Sequence, residues 1–281
     1  MSDATVPTGR KAAPSRPGDT AEEAYLRLRE LIVEGNFAPG QRLPHAKLQE
    51  ALGVGRTPLR TALSRLQSDG LVTATPNHGV AVAAAPVSSA EEIYTLRYLV
   101  EPPLLEASAA GTPPAQIARM RSLLERMEAT ADDPTAFATA HREFHTVERA
   151  AFTSPFIDGL VLDMYRHLHR HQRTRLARSY APVDFLRLDR ETVDALEAGD
   201  GLRARRTLEF HLVDAAVSFL GDADEIHRPS LLLAVTRANG MTIAAGADGL
   251  VPRPARVDWS VACPSLPALE TPYLFYEPPG G

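Results

Sequence analysis

The run Gly53-Val54-Gly55-Arg56-Thr57-Pro58-Leu59-Arg60, continued through Thr61-Ala62-Leu63-Ser64-Arg65-Leu66 to Gly70-Leu71-Val72, constrains this chain more than any other segment. Two glycines make a tight turn. Leu59, Leu63 and Leu66 then recur at helical spacing, and Gly70 stops the helix before a short extended run. The leading turns carry Arg56, Thr57 and Arg60, all able to hydrogen-bond to phosphates or base edges. An apolar face for docking and a cationic leading end are what a helix needs in order to lie in a DNA major groove. Between Arg56 and Arg65 there are three arginines and no acid, whereas the whole chain carries a formal charge of −5. Local placement rather than net charge decides such binding.

The neighbouring sequence completes a small domain. Thr20 and Glu23 have the spacing of a capping box, and Tyr25, Leu28, Leu31 and Ile32 form an apolar stripe behind it. Gly35-Asn36 and Pro39-Gly40 end that helix. A second short helix turns Leu48, Ala51 and Leu52 inward and stops at Gly53. Leu71–Thr75 and Val80–Ala84 alternate as two strands around Pro76-Asn77-His78-Gly79. Three helices and a hairpin predict a winged helix-turn-helix over residues 20–84, preceded by a flexible tail, 1–19. From Ser89 to Leu220 the pattern is helical, broken at Gly111-Thr112-Pro113-Pro114, Asp132-Asp133-Pro134, Ser154-Pro155, Ala181-Pro182 and Gly199-Asp200. That predicts an all-α bundle of six or seven helices over 85–221, with Pro102-Pro103 kinking or breaking its first helix. Residues 222–281 are rich in Pro and Gly and have no clear helical periodicity. They read as a C-terminal extension of unknown role, either disordered or packed as an extended tail. The predicted fold class is mainly α.

At 281 residues two domains of ordinary size are accommodated. No apolar run reaches membrane-spanning length, and the tail lacks the apolar core of a secretory signal. The single cysteine, Cys263, excludes an internal disulfide framework and fits a reducing compartment. The expected location is the cytoplasm, with no membrane partner.

Arg42-Leu43-Pro44, the Gly53–Arg60 run, Ala62-Leu63, Arg65-Leu66, Gly70-Leu71-Val72 and Gly79 resemble the DNA-binding domain of the GntR family. The helical region beyond resembles the ligand-binding domain of its FadR-like, or FCD, branch. The resemblance covers about residues 20–220 and leaves the last sixty unmatched. It implies that Arg56, Thr57 and Arg60 contact operator DNA and that the wing at His78-Gly79 reaches the minor groove or backbone. Gly55 stands where the family usually has Ser or Thr, and Thr61 where Glu is usual, so operator reading departs in detail from that of relatives. Arg97, in Tyr94-Thr95-Leu96-Arg97-Tyr98-Leu99-Val100-Glu101, matches an Arg-x-x-x-Glu pattern whose Arg lies near the effector pocket. Two roles are open to it: pairing with an acidic effector, or an internal ion pair with Glu101. Arg173 and Arg175 are further candidates for the pocket.

His141 and His145, spaced i and i+4, project from one helix face. The FCD pattern places an Asp and a His four apart on one helix and two more His on later helices. Laid on it, His145 and His211 match, while His141 stands where Asp is usual and Asp189 where His is usual. The two residue types have been exchanged, and three imidazoles and one carboxylate remain. That set suits a divalent metal, Zn, Ni, Mn or Fe. A second cluster, His167, His169 and His171, lies among arginines and reads as a basic face. His141-Arg142-Glu143-Phe144-His145 meets neither zinc-hydrolase helix pattern, because Glu143 is adjacent to neither His. The chain is therefore read as a regulator and not an enzyme. The resemblance implies a ligand-responsive transcription factor, a repressor, that binds an inverted-repeat operator in double-stranded DNA as a homodimer and responds to a small carboxylate effector. The alternatives are a metal-free FCD regulator with an apolar effector and, more remotely, a metal-dependent hydrolase.

Overall fold

The computed structural model describes residues 19–33, 35–75, 79–84, 87–150, 155–173, 182–224 and 226–278. The predicted tail, all but its last residue, and the hairpin tip with His78 lie outside them. The chain divides into two compact units, one reaching Pro86 and the other made of Val87–Leu168 and Arg175–Gly281.

The first unit holds α1 (Asp19–Val33), α2 (His45–Leu52), α3 (Arg56–Ser68), β1 (Val72–Thr75) and β2 (Gly79–Val82). Gly53 ends α2 in the left-handed region, at φ 69°, with its N–H donating to the Gln49 carbonyl; glycine enters this conformation without a Cβ penalty. Leu28, Ile32, Leu48, Leu59, Leu63 and Leu66 converge in one core, so the predicted stripe of α3 seats it on α1 and α2. The hairpin is shorter than the sequence pattern implies. The Leu71 N–H is taken by the Leu66 carbonyl at the end of α3, so antiparallel pairing begins at Val72↔Val82.

The second unit is built around α9 (Gly201–Ala223), which buries residues on most sides between Ala204 and Leu220. Around it lie α4 (Val87–Ser108), α5 (Pro114–Ala129), α6 (Pro134–Arg149), α7 (Pro155–Arg173) and α8 (Pro182–Glu197). Two of the expected breaks act as caps. Asp133 accepts from the Thr135 and Ala136 N–H groups to start α6, and Asp200 accepts from the Arg203 N–H to start α9. Met120, Leu124, Phe137, Phe144, Val193 and Leu208 form the core between α5, α6, α8 and α9.

Two expectations are corrected here. Pro102 and Pro103 do not break the first helix, since α4 runs through both. The two lost N–H donors are outweighed by burial of Ala90, Tyr94, Tyr98 and Leu105 along the same helix. The C-terminal extension, in turn, is an ordered part of the second unit. It forms α10 (Ser230–Ala238) and a four-stranded sheet in the order β3 (Met241–Ile243), β4 (Ala255–Trp259), β6 (Leu274–Tyr276), β5 (Leu269–Glu270). The β4–β6 pair is parallel and the others antiparallel. Met241, Val257 and Leu274 pack with Tyr98 of α4 and Phe210 and Val213 of α9.

The extension is fastened by Glu91 of α4, 6% exposed. Pro229, at the N-cap of α10, has no side-chain acceptor. Glu91 Oε1 serves instead, accepting from the Leu231 and Leu232 N–H groups at 2.8 and 3.1 Å, and Oε2 lies 2.9 Å from His227 Nε2. Hydrogen bonds to a charged group contribute about 1.5–3 kcal/mol. Glu91→Ala is therefore expected to destabilise the chain by about 2 kcal/mol in denaturant unfolding, and to speed hydrogen exchange at Leu231 and Leu232. Unchanged exchange at those two amides would remove the clamp.

Candidate functional site

Helical spacing creates the site. His141 and His145 lie one turn apart on α6, Asp189 is on α8 and His211 on α9. One ligand atom from each of the four lies within 4.8 Å of every other, a separation suited to one ion. His145 Nε2 is 3.0 Å from His141 Nε2, His141 Nε2 is 3.7 Å from Asp189 Oδ2, and His211 Nδ1 is 3.2 Å from Asp189 Oδ1. The exchanged pair, His141 and Asp189, thus meets at the same point. His141 is a quarter exposed, and the other three are almost fully buried.

Asp189 Oδ2 is buried and, among the described residues, has no hydrogen-bond partner. An orphaned buried carboxylate oxygen facing imidazoles is costly unless a cation completes it. His145 Nδ1 pairs with Glu148 Oε2 at 2.9 Å, which leaves Nε2 turned to the centre. A carboxylate behind a ligating imidazole fixes the ring and raises its basicity. Burial pushes His145 down to about 3 and shifts His141 the same way, with the neighbouring His145 adding to it. Burial thus favours the neutral form of both rings, the form that ligates a metal. Burial disfavours charge on His211 and Asp189 also, yet each favours the charged form of the other: His211 is raised and Asp189 lowered. The donor set fits a divalent metal.

Tyr165 of α7 forms the adjoining wall, with its ring centroid 6.0 Å from that of His145. Arg97 and Arg149 both stack on it, their guanidinium carbons 3.9 and 4.2 Å from the centroid. Arg97 is engaged internally. Its Nε is 2.6 Å from Glu101 Oε1, and its Nη2 bonds Glu101 Oε2 and the Tyr165 hydroxyl. Burial lowers Arg97, but Glu101 and Tyr165 more than offset this and its affinity for the proton is raised.

Glu148, Arg149 and Tyr165 are absent from the sequence-predicted set. A signal for Glu148 existed: it lies one turn beyond Phe144 on the stripe that buries Phe137, Ala140 and Phe144, so an acid occupied an inward position. Arg149 lies one turn beyond His145 on the same face. The side chains of His169, His171 and Arg173, and all of Arg175, lie outside the described residues.

In the first unit, Arg56, Thr57 and Arg60 are exposed on the leading turns of α3. With Thr61, Ser64 and Arg65 they line one open surface cleft. Gly55 caps α3 in an extended conformation without a side-chain hydrogen bond. Thr61 Oγ1 donates back to the Thr57 carbonyl at 3.2 Å. Gly79 is exposed at the start of β2 with φ 81°.

A winged helix-turn-helix joined to a helical domain that gathers metal donors is the build of a DNA-binding regulator of transcription. The profile of the bacterial gntR-family regulatory proteins matches residues 20–82 and that of the FCD domain residues 92–214. An HTH-type transcriptional regulator from an unstable DNA locus of Streptomyces ambofaciens is 30% identical over 190 residues, spanning 68% of this chain and 80% of the relative. The HTH-type transcriptional repressor GlaR of Escherichia coli (strain K12) is 26% identical over 204 residues, spanning 69% and 93%. The crystal structure of a GntR protein from Rhodococcus sp. RHA1 superposes with a TM-score of 0.60 at 30% identity, covering 73% of this chain and 98% of that one. The chain belongs to the GntR family of transcriptional regulators, with an FCD domain after its DNA-binding helix-turn-helix, and is not an enzyme. No helix among the described residues is long and apolar enough to cross a membrane.

The pH dependence of stability follows from the buried imidazoles. Those of His141 and His145 are lowered, so their contribution is complete above the ordinary value near 6.5 and is lost as pH falls from there toward about 3. Lowered Asp189 is lost on the acid side too. Raised His211 acts oppositely, losing its contribution as pH rises through its raised value. In chelator, the free energy of unfolding is expected to fall steadily from pH 6.5 to 5, by on the order of 1 kcal/mol per pH unit for each lowered imidazole, and the melting temperature with it. His145→Leu should flatten that slope, and an equally steep slope in this variant would contradict the assignment.

Proposed function

We propose that the protein is a ligand-responsive repressor that binds an inverted-repeat operator as a homodimer and is released by a small carboxylate effector. Residues 20–84 are the DNA-binding domain, 85–221 the effector domain, and 222–281 an extension added to it. The cytoplasm is the proposed compartment. The observation that carries the effector half is the convergence of His141, His145, Asp189 and His211 with an orphaned carboxylate oxygen at their centre. These four would hold a divalent cation, Zn, Ni, Mn or Fe, and such an ion, when bound, supplies open positions for an effector's oxygen atoms. Glu148 orients His145, and Arg97, held by Glu101, contributes positive charge to the effector pocket. The buried charges argue against an apolar effector, for which they would be an uncompensated cost.

On the DNA side, Arg56, Thr57, Arg60 and the wing at His78-Gly79 are the proposed contacts. Exposure of the first three on one leading edge of α3 supports this. Repression is the reading the GlaR relative favours. A dimer on two half-sites is how such helices read a palindrome. Effector binding then shifts the balance between DNA-competent and released forms by its differential affinity for them.

Duplexes selected from a random library by the full chain provide the DNA probe. The expected outcome is a palindrome bound by a dimer. Arg60→Ala should weaken it by roughly tenfold or more, as loss of a good base contact of about 1–3 kcal/mol requires, or lower the salt slope by about one if the contact is to phosphate. Wild type should carry about one zinc per chain when loaded, and His145→Ala substantially less. Absence of stoichiometric metal from loaded wild type would defeat the metal assignment, and an Arg60→Ala variant that binds as wild type would defeat the DNA contact.

A further inference from the structure

Among the described residues, Arg149 is a buried cation with two unpartnered nitrogens. It closes α6 and is 5% exposed. Among the described residues, its Nε and Nη1 have no hydrogen-bond partner. Its Nη2 makes one long bond, 3.5 Å to Thr146 Oγ1. A guanidinium carries five N–H donors, and a buried donor left unmet is destabilising. Glu148 feels its charge, but among the described residues the neighbouring charged groups are hydrogen-bonded elsewhere. Arg97 is matched by Glu101, Asp189 by His211, and Glu148 turns its Oε2 to His145. The helix C-terminus favours a cation but gives these nitrogens no acceptor. Arg149 nevertheless stands beside the candidate metal site. It lies on the Tyr165 ring opposite no acid of its own, one turn beyond His145, and its charge is felt at His145, Glu148 and Tyr165.

We infer that Arg149 is the anchor for the effector's carboxylate, a role that relieves Arg97 of direct contact and leaves it paired with Glu101. This rests on the effector-pocket reading above and names its recognition residue. A guanidinium takes a carboxylate in a bidentate fork, and the vacant donors of Arg149 supply what Arg97 has already committed. Tyr165, stacked between the two guanidinium groups, holds the plane of Arg149 in place by cation–π attraction. The arrangement is that of a preformed anion site, in which the cost of an unpaired buried charge is carried by the free protein and removed on binding.

Thermal shift on the zinc-loaded full chain tests this, with acetate, L-malate and inorganic phosphate as probes and acetamide as the neutral control. Arg149→Met keeps the length of the side chain and removes its charge; Arg149→Lys keeps the charge and loses the fork. Wild type is expected to be stabilised by a carboxylate and not by acetamide. Arg149→Met should lose at least tenfold in affinity for that probe, and Arg149→Lys should fall between. Without anion, Arg149→Met should melt at or above the wild-type temperature, because an unpaired buried cation is being removed. The inference is overturned if Arg149→Met takes the carboxylate as wild type does, if none of the three anions stabilises wild type, or if phosphate is preferred to both carboxylates. It is overturned also if Arg149→Met melts below wild type without anion, since Arg149 would then be holding the fold. Zinc content measured on the same samples separates the two readings. Wild type without zinc defeats the metal site alone, whereas zinc-loaded wild type and variant that respond equally to the carboxylate defeat the role of Arg149 alone.

Discussion

A carboxylate buried among histidines sets the character of the FCD domain. Asp189 is 1% exposed, on a helix whose neighbouring residues Leu186, Leu188 and Val193 pack into apolar cores. Placing an ionised group there requires compensation from several directions. His211 pairs with it on one side, and His141 and His145, whose charged forms burial disfavours, stand on the other. Glu148 then fixes His145, and the cap at Asp133 fixes the start of the helix that carries all three of His141, His145 and Glu148. The polar centre is therefore reached through α6, α8 and α9 together, and the apolar core shared by these helices holds the donors at ligand spacing.

The DNA-binding half was legible because its signals are local. Turn glycines, a leucine stripe and a run of arginines each act within one or two turns, and α3 follows them closely. His141 and His145 could be paired from their spacing alone. Asp189 could not: it is 44 residues from His145 along the chain, and nothing local distinguishes it from any other acid near a helix start. Only the comparison with a family pattern, read with Asp and His exchanged, put it with the others. Glu148 and Arg149 look like an ordinary charged helix end, and what meets them is remote in sequence: the Tyr165 ring beneath Arg149 and Gln116 of α5, whose amide donates to the Val147 and Glu148 carbonyls.

The C-terminal extension escaped the sequence for a different reason. Its strands are two to five residues long, too short for alternation to register, and the parallel β4–β6 pair joins segments with an intervening loop and strand between them. In α10 only Leu232 and Thr236 are buried, so the Leu231-Leu232-Leu233 run has no helical period to display. What orders this segment is remote: the Glu91 carboxylate and the apolar face offered by Tyr98, Phe210 and Val213. Pro and Gly content describes the loops between these pieces and says little about whether the pieces have something to pack on.

One helix carries much of this. Within α4, Glu91 clamps the extension, Tyr98 belongs to the sheet core, and Arg97 and Glu101 form the ion pair at the Tyr165 wall. Its passage through Pro102 and Pro103 without a break makes sense in that light, because interruption there would disconnect Leu105 and the core around it from the polar groups above. α4 also begins four residues after the last strand of the hairpin, β2 ending at Val82 and α4 starting at Val87. A helix restrained by an ion pair, an apolar core and a cap on another helix has few ways to deform singly.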